Sequence, residues 1–217
     1  MSIHKLDKKT TLFIVLGSIF LTNAILAELI GVKIFSLESL AGLEPANISL
    51  FDNLYSFNLT TGVILWPVVF LTTDIINEYF GKDGVKKISF LTAGLIVYMF
   101  LIITVATALP PADFWLELNS KDAQGNFFDM DFAFTKIYRQ GLGIIIGSLI
   151  AFLIGQMLDV YVFQALRKRT GEKMIWIRAT GSTLISQLVD SFVVLGVAFY
   201  VFGDWDLDMV ISVGIVN

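Results

Sequence analysis

The sequence predicts an all-α integral membrane protein: a polytopic helical bundle of five full spans plus the start of a sixth. The 217 residues are 56% hydrophobic and only 16% charged, and their mean hydropathy is +0.77. Several apolar runs reach or approach the ~20 residues that an α-helix needs to cross a hydrocarbon core of ~30 Å. We therefore expect a single transmembrane domain over residues 1–217.

The predicted spans follow the apolar runs in order: 11–30, 62–80, 88–109, 141–166 and 179–203, with a further run beginning at 208. The first run follows a short basic tail, as a signal peptide would, but it is too long and lacks a small-x-small exit. We therefore predict that it is retained. The last run is too short to cross alone, so it is either the start of a sixth helix or a short interfacial piece.

The distribution of basic residues predicts the orientation. With these spans, eleven of the 15 Lys and Arg residues fall on the side of the N-terminus and four on the other. Cytoplasmic loops of membrane proteins are enriched in Lys and Arg. We therefore predict a multi-pass protein of the bacterial inner (cytoplasmic) membrane, with a cytoplasmic N-terminus and long outer loops at 31–61 and 110–140.

Both outer loops contain segments with local structural preferences. In the first, "VKIFSL" and "LYSFNLTTG" are β-prone and predict a paired hairpin cap. In the second, the aromatic-rich "FFDMDFAFTKIYRQ" predicts a helix lying on the outer surface. A disordered external loop is the alternative for each.

Several function classes are excluded by residue content. Cysteine is absent, and the only histidine, His4, precedes the first span, so no thiolate or imidazole metal site is predicted within the membrane. No P-loop motif and no basic nucleic-acid-binding patch is present. We expect no metal and no cofactor.

Polar side chains inside the predicted spans are the candidate functional groups. A carboxylate at the bilayer centre costs ~2.5–3.5 kcal/mol on insertion scales, so each requires a reason. Asp74, Asp159 and Asp190 share a layer from the cytoplasmic half to the middle, whereas Glu28 lies near an outer helix end, where an anchoring role is as reasonable. No Lys, Arg or His falls within the predicted spans to balance these acids.

The spacing of these residues places them on shared helix faces. Asp74, Asn77 and Glu78 are separated by three and four residues, so they lie on one face of the second span. The fourth and fifth spans each carry an amide three residues before an acid, in "IGQMLDVYVF" and "ISQLVDSFVV". The alternative to a binding site is that these groups only hydrogen-bond between helices.

An acidic pocket with amides suits a ligand that is rich in N–H donors or positively charged. A carboxylate accepts two parallel N–H bonds from the edge of a guanine-type base, and an amide recognises mixed edges. Aromatic residues that could stack on a flat ring lie on the same helices: Phe70, Tyr79, Phe152, Tyr161 and Phe192.

Three segments resemble the queuosine-precursor transporter family, also called the vitamin uptake transporter family: "GVILWPVVFLTTDIINEYFGKDGVKK", "SLIAFLIGQMLDVYVFQALRKRTG" and "RATGSTLISQLVDSFVVLGVAF". The resemblance implies a six-helix bundle similar to the substrate-binding subunits of energy-coupling-factor transporters. It also implies uptake of a 7-deazaguanine base, a precursor of queuosine in tRNA. The implied substrate-binding residues are Asn23, Asp74, Asn77, Glu78, Gln156, Asp159, Gln187 and Asp190.

The leading hypothesis is thus a membrane transporter that imports a deazapurine base, with coupling to protons, Na⁺ or nothing left open. The alternatives are a transporter of another cationic or N–H-rich small molecule, a scaffold, and an intramembrane aspartyl enzyme in which Asp159 and Asp190 share a proton. We expect no nucleic-acid partner. The sequence leaves open whether the protein forms a homodimer in the lipid bilayer.

Overall fold

A computed structural model describes residues 7–50, 53–139, 141–171 and 174–216, and most of these residues are helical. The helices are α1 (Lys8–Ile30), α2 (Leu37–Leu40), α3 (Trp66–Ala106), α4 (Asp113–Leu118), α5 (Met130–Tyr138), α6 (Leu142–Thr170), α7 (Ile175–Leu195) and α8 (Leu207–Val216). Among the described residues, four helices are long and apolar enough to cross a membrane: α1, α3, α6, and α7 with the turn that extends it to Val201. The predicted helical, multi-pass membrane class is confirmed, while the number of crossings stays a prediction.

Helix α3 is interrupted at Gly81, where φ is 70° and ψ is −175°. Glycine adopts this backbone conformation without the steric cost that a Cβ atom brings. Before the break, Phe80 packs on Phe13 of α1, with ring centroids 4.9 Å apart. After it, Ile88 contacts Gly17, one turn further along α1. The chain therefore reverses at Gly81, between the second and third predicted spans.

The bundle core lies where α1, both halves of α3 and α6 meet. Its fully buried members include Phe20, Val69, Ile76 and Val160. The apolar residues of α1 and α6 are spread around the helix circumference and are not confined to one face, as expected for helices that contact both lipid and protein. Apolar packing therefore holds the elements that position the polar side chains.

Helix α6 packs closely along α7 through small residues. A Cβ atom on Gly147 would lie 3.0 Å from the Ala198 Cβ, and one on Gly143 would lie 2.5 Å from the Phe202 Cβ. Small residues let helix backbones approach closely in membranes, where there is little hydrophobic drive to associate. Ala198 lies in the π-helical turn Gly196–Val201 that extends α7.

Four short strands organise the first outer loop: β1 (Ile34–Ser36), β2 (Ile48–Leu50), β3 (Asn53–Tyr55) and β4 (Asn58–Thr60). Strand β1 pairs antiparallel with β4, Ile34 opposite Thr60, which confirms the predicted pairing of the two β-prone segments. The β2–β3 pair between them was not predicted.

Glu38, at the start of α2, forms hydrogen bonds with several separate segments of this loop. Its Oε1 accepts hydrogen bonds from the backbone N–H groups of Phe57 (2.7 Å) and Ala46 (3.3 Å), and its Oε2 accepts one from the Ser36 hydroxyl (3.1 Å). The Phe57 N–H in particular holds the pKa of the Glu38 carboxyl below its ordinary value. The side chain is 7% exposed although it belongs to a loop.

The second outer loop contains the predicted helix, α5. Asp129 caps it by accepting a hydrogen bond from the Phe132 N–H at 2.9 Å. Tyr138, at its last turn, lies beside Leu29 of α1 and Met99 of α3. The helix is confirmed and its position on the membrane surface stays a prediction; Gln140, the last residue of the segment, lies outside the described residues.

Candidate functional site

A chamber of about 400 Å³ lies among α1, α3, α6, α7 and α8, on the side of the first outer loop. Its polar lining consists of Glu28, Asn58, Thr60, Ser148, Gln156, Gln187, Asp190 and Ser191. The residues of β4 are part of this lining, so the loop closes over one end of the chamber. This volume falls within the range of pockets that hold small molecules, roughly 300–1,000 Å³.

One wall of the chamber is aromatic. The ring centroids of Trp66 and Phe70 lie 5.8 Å apart, and those of Trp66 and Phe152 lie 6.3 Å apart. Rings in this arrangement present a surface on which a flat ligand ring can stack. Phe70 and Phe152 were predicted stacking residues, whereas the side chains of Tyr79 and Tyr161 lie on the outer surface of the bundle.

Two carboxylates from different helices line the chamber. Glu28 of α1 lies near the Ser148 hydroxyl and is close enough to Asp190 of α7 for their charges to interact. Asp190 packs on α6, because a Cβ atom on Gly155 would lie 3.2 Å from its Oδ1. The sequence prediction omitted Glu28 from the site, although the absence of any basic residue in the last turn of α1 argues against simple anchoring.

A second acid pair, Asp74 and Asp159, lies beside the chamber and is more deeply buried. Asp159 is 0% exposed and Asp74 is 6% exposed, and the charges of the two carboxylates interact between α3 and α6. Thr73 donates a hydrogen bond of 3.2 Å to Oε1 of Gln156, a chamber residue, so the pair lies within about one helical turn of the chamber.

The Asp159 carboxylate also faces a row of hydroxyl groups on α7, from Ser182, Thr183 and Ser186. These hydroxyls lie close enough to stabilise the Asp159 carboxylate, but none of them forms a hydrogen bond of ordinary length to it, and Oδ1 of Asp74 likewise has no hydrogen-bond partner among the described residues. Buried acceptors nearly always have a partner in proteins. These carboxylate oxygens are therefore buried acceptors with little compensation from the described residues.

The basic end of the bundle holds a partly buried ion cluster. Glu78 lies 3.1 Å from Nη2 of Arg178 and 3.4 Å from Nη2 of Arg167. Arg178 is fully buried, donates to the Gly171 carbonyl and lies over the Phe163 ring, 5.4 Å from its centroid.

The expectation that no basic residue within the helices balances the acids is therefore wrong. Helix α7 begins at Ile175, not at 179, so Arg178 occupies its first turn and lies inside the bundle. The Glu78 carboxylate compensates the cost of burying a guanidinium there, which the hydropathy of the segment alone did not reveal.

Two predicted amides make other contacts. Oδ1 of Asn77 accepts a hydrogen bond of 2.6 Å from Gln164, which joins α3 to α6. Asn23 donates to the Ile19 carbonyl of its own helix at 2.8 Å.

The eight predicted binding residues thus fall into four groups. Gln156, Gln187 and Asp190 line the chamber, Asp74 and Asp159 form the buried pair, Asn77 and Glu78 join helices near the basic end, and Asn23 bonds within α1.

Long apolar helices around a chamber with acidic, amide and aromatic walls define a multi-pass membrane protein with a polar-lined cavity among its helices. Residues 60–217 match the family described as "Putative vitamin uptake transporter", and the chain belongs to this family. The match includes the whole of α3, α6, α7 and α8 and excludes α1.

Three curated relatives carry names that agree with this family. The chain is 29% identical to the "Probable queuosine precursor transporter" of Bacillus subtilis over 157 residues, 71% of this chain and 63% of the relative. It is 30% identical to the protein of the same name from Haemophilus influenzae over 152 residues, 70% and 57% of the two chains. It is 27% identical to the "Queuosine precursor transporter" of Escherichia coli over 148 residues, 68% and 58%.

The resemblance seen in the sequence is confirmed by these matches. The chain spans less than two thirds of the length of these relatives. No solved structure matches the chain.

Proposed function

We propose that this protein is a transporter of the bacterial cytoplasmic membrane that imports a queuosine precursor, a 7-deazaguanine base. The names of the relatives support this substrate class. The observation that carries the proposal is the chamber, in which Glu28 and Asp190 face a space that Gln156, Gln187 and the Trp66 ring also line.

The chemistry of the chamber fits a guanine-like base. Such a base presents adjacent N–H groups, and one carboxylate can accept both in parallel. The side-chain amides of Gln156 and Gln187 each offer a donor and an acceptor, so they match the remaining mixed edge. The aromatic wall at Trp66 provides a stacking surface, and about 400 Å³ accommodates a fused bicyclic ring.

The test of this function is an uptake assay. It measures uptake of a radiolabelled 7-deazaguanine base by cells or proteoliposomes that contain the full chain. We expect saturable uptake, and we expect Asp190→Asn to reduce it at least tenfold, because a hydrogen bond to a charged group contributes about 1.5–3 kcal/mol. Asp83→Asn, at an exposed turn residue, is the matched control. Absence of uptake of any guanine-like base by the unaltered chain contradicts the proposal.

Coupling to a proton gradient is part of the proposal. Asp74 and Glu78 lie on one helix face, and Glu78 forms ion pairs with Arg167 and Arg178. Asp74 forms no ion pair with a described residue. An imposed pH gradient across sealed vesicles should therefore alter the initial uptake rate, and a protonophore should abolish the difference; an unchanged rate contradicts coupling.

The enzyme alternative has weaker support. A shared proton requires two adjacent carboxylates, but Asp159 neighbours Asp74, while Asp190 neighbours Glu28 and packs on Gly155, one turn away from Asp159. The family description and the names of the relatives refer to uptake and transport.

A further inference from the structure

Asp74 and Asp159 form a buried pair of like charges for which the described residues supply no cation. Arg167 and Arg178, the nearest basic side chains toward the cytoplasmic end, form their ion pairs with Glu78. Two ionised carboxylates at this depth repel each other in a medium of low dielectric constant. Burial of the two carboxylates is therefore favourable only if a positive charge compensates part of their negative charge.

The groups on α7 that face the pair are hydroxyls, which can donate a hydrogen bond or act as oxygen ligands. Ser182 and Ser186 are 0% exposed and face Asp159 from α7. Their hydroxyl groups donate to carbonyls of their own helix, Ser182 to Ala179 at 3.2 Å and Ser186 to Thr183 at 3.0 Å. The oxygen lone pairs of both hydroxyls are therefore free to act, with the carboxylates, as ligands.

The geometry points to a binding site for one small monovalent cation, Na⁺ or a proton, formed by the carboxylates of Asp74 and Asp159 and the hydroxyls of Ser182 and Ser186. Oxygen ligands of this kind suit a hard cation. The site itself does not depend on the identity of the transported solute, whereas its use in coupling rests on the proposed transport function.

The charged groups near the pair on α3, α6 and α7 are paired with one another. On α3, Glu78 lies one turn from Asp74 and is ion-paired. On α7, Arg178 lies one turn from Ser182 and is paired with Glu78, and Thr183 adds a third hydroxyl near Asp159. These contacts leave the Asp74–Asp159 charge to be compensated by a bound cation.

The position of the site explains how a cation could act on the chamber. Gln156, which lines the chamber, precedes Asp159 by three residues and accepts a hydrogen bond from Thr73, the neighbour of Asp74. A change in the separation of the two carboxylates would therefore move a chamber side chain. Cation binding and binding in the chamber are therefore linked through the hydrogen bond between Thr73 and Gln156.

The test measures the unfolding temperature of the purified full chain in lipid nanodiscs, without any transport substrate. NaCl is exchanged for choline chloride at constant ionic strength, and the series is repeated from about pH 8 to about pH 6. A Na⁺ site predicts a rise of roughly 5–10 °C at a hundredfold excess over Kd. A proton site predicts no Na⁺ effect and a rise as the pH falls.

Three kinds of variant assign the response. Asp159→Asn and Asp74→Asn should each abolish it, because each removes one charge from the pair. Ser182→Ala and Ser186→Ala should weaken Na⁺ binding about tenfold, the equivalent of one lost ligand contact, whereas a response to pH should still be seen in both variants. Asp83→Asn, the same substitution at an exposed residue, should behave as the unaltered chain.

The proposal is overturned if neither Na⁺ nor pH changes the unfolding temperature, or if the response persists unchanged in both Asp→Asn variants. Because no deazaguanine is present, this result is independent of the uptake experiment. A chain that binds the cation but takes up no base would contradict the proposed function alone, and the reverse result would contradict the cation site alone.

Discussion

The Glu78 carboxylate accepts a hydrogen bond of 3.1 Å from the fully buried guanidinium of Arg178. Its other oxygen lies 3.4 Å from Arg167. The cluster connects α3, α6 and α7 at the end of the bundle opposite the outer loop that covers the chamber. It therefore holds the basic ends of three helices together at a depth where an unpaired charge is costly.

Glu78→Gln should lower the stability of the protein, because it removes the carboxylate that pairs with the buried Arg178 guanidinium. Breaking a buried pair costs about 3–5 kcal/mol, which corresponds to a fall of roughly 10 °C in the unfolding temperature. Thermal unfolding in nanodiscs measures this, with Asp83→Asn as the control. The double variant Glu78→Gln/Arg178→Met should recover part of the loss; a single variant as stable as the unaltered chain contradicts this role.

Glu28→Gln should weaken substrate binding, although Glu28 lies outside the residues matched by the family. Its carboxylate shares the chamber with Asp190, so its loss removes a charged acceptor. We expect a rise in KM for deazaguanine uptake of roughly 10–100-fold with normal amounts of protein in the membrane. Glu44→Gln, at an exposed residue of the outer loop, is the matched control. An unchanged KM would place Glu28 outside the binding set.

Gly147→Ala should destabilise the packing of α6 on α7. The added Cβ would lie 3.0 Å from the Ala198 Cβ and 3.1 Å from its backbone nitrogen, so a helix has to move. Overpacking of this kind costs typically 1–3 kcal/mol. Gly94→Ala is the control, because no atom outside its own helix lies within 4 Å of the new Cβ, and it should be neutral or stabilising. Unfolding temperatures that do not separate the two variants contradict the close contact.

Acid should weaken the outer loop through Glu38. Because the Phe57 N–H and its other donors lower the pKa of this carboxyl from 4.5, its ionised form stabilises the fold. That contribution is fully present above about pH 4.5, and it is lost as the pH falls through the lowered pKa. Unfolding temperatures of the unaltered chain and of Glu38→Gln should therefore differ at neutral pH and converge in acid. A difference that is constant with pH would show that charge is not the cause.

The sequence predicted those parts of the fold that depend on local composition. Runs of apolar residues must form helices in lipid because every backbone N–H and C=O group has to be bonded internally, and this requirement acts on each segment separately. The turn at Gly81, the β1–β4 pairing and helix α5 likewise follow from local signals. The family resemblance also came from contiguous motifs, and the match over residues 60–217 confirms it.

The candidate site was harder to predict. Residue spacing shows which side of a helix a side chain lies on, but it does not show which residues of other helices that side chain contacts. The i, i+4 spacing of Asp74 and Glu78 correctly places them on one side of a helix. It does not reveal that Glu78 meets Arg178 while Asp74 meets Asp159. Glu28 could not be assigned by depth alone, because its role depends on Ser148 and Asp190, which come from α6 and α7.

The sequence by itself determined that this chain is a helical membrane protein of a transporter family with acids in its spans, since hydropathy and motifs are properties of the chain alone. Only the tertiary structure decided which acidic side chains form ion pairs with arginine, which lie beside another acid, and which line the chamber. The physical reason is that the energy of a buried charge depends on the groups a few ångströms away, and here those groups come from residues about 80 to 160 positions apart.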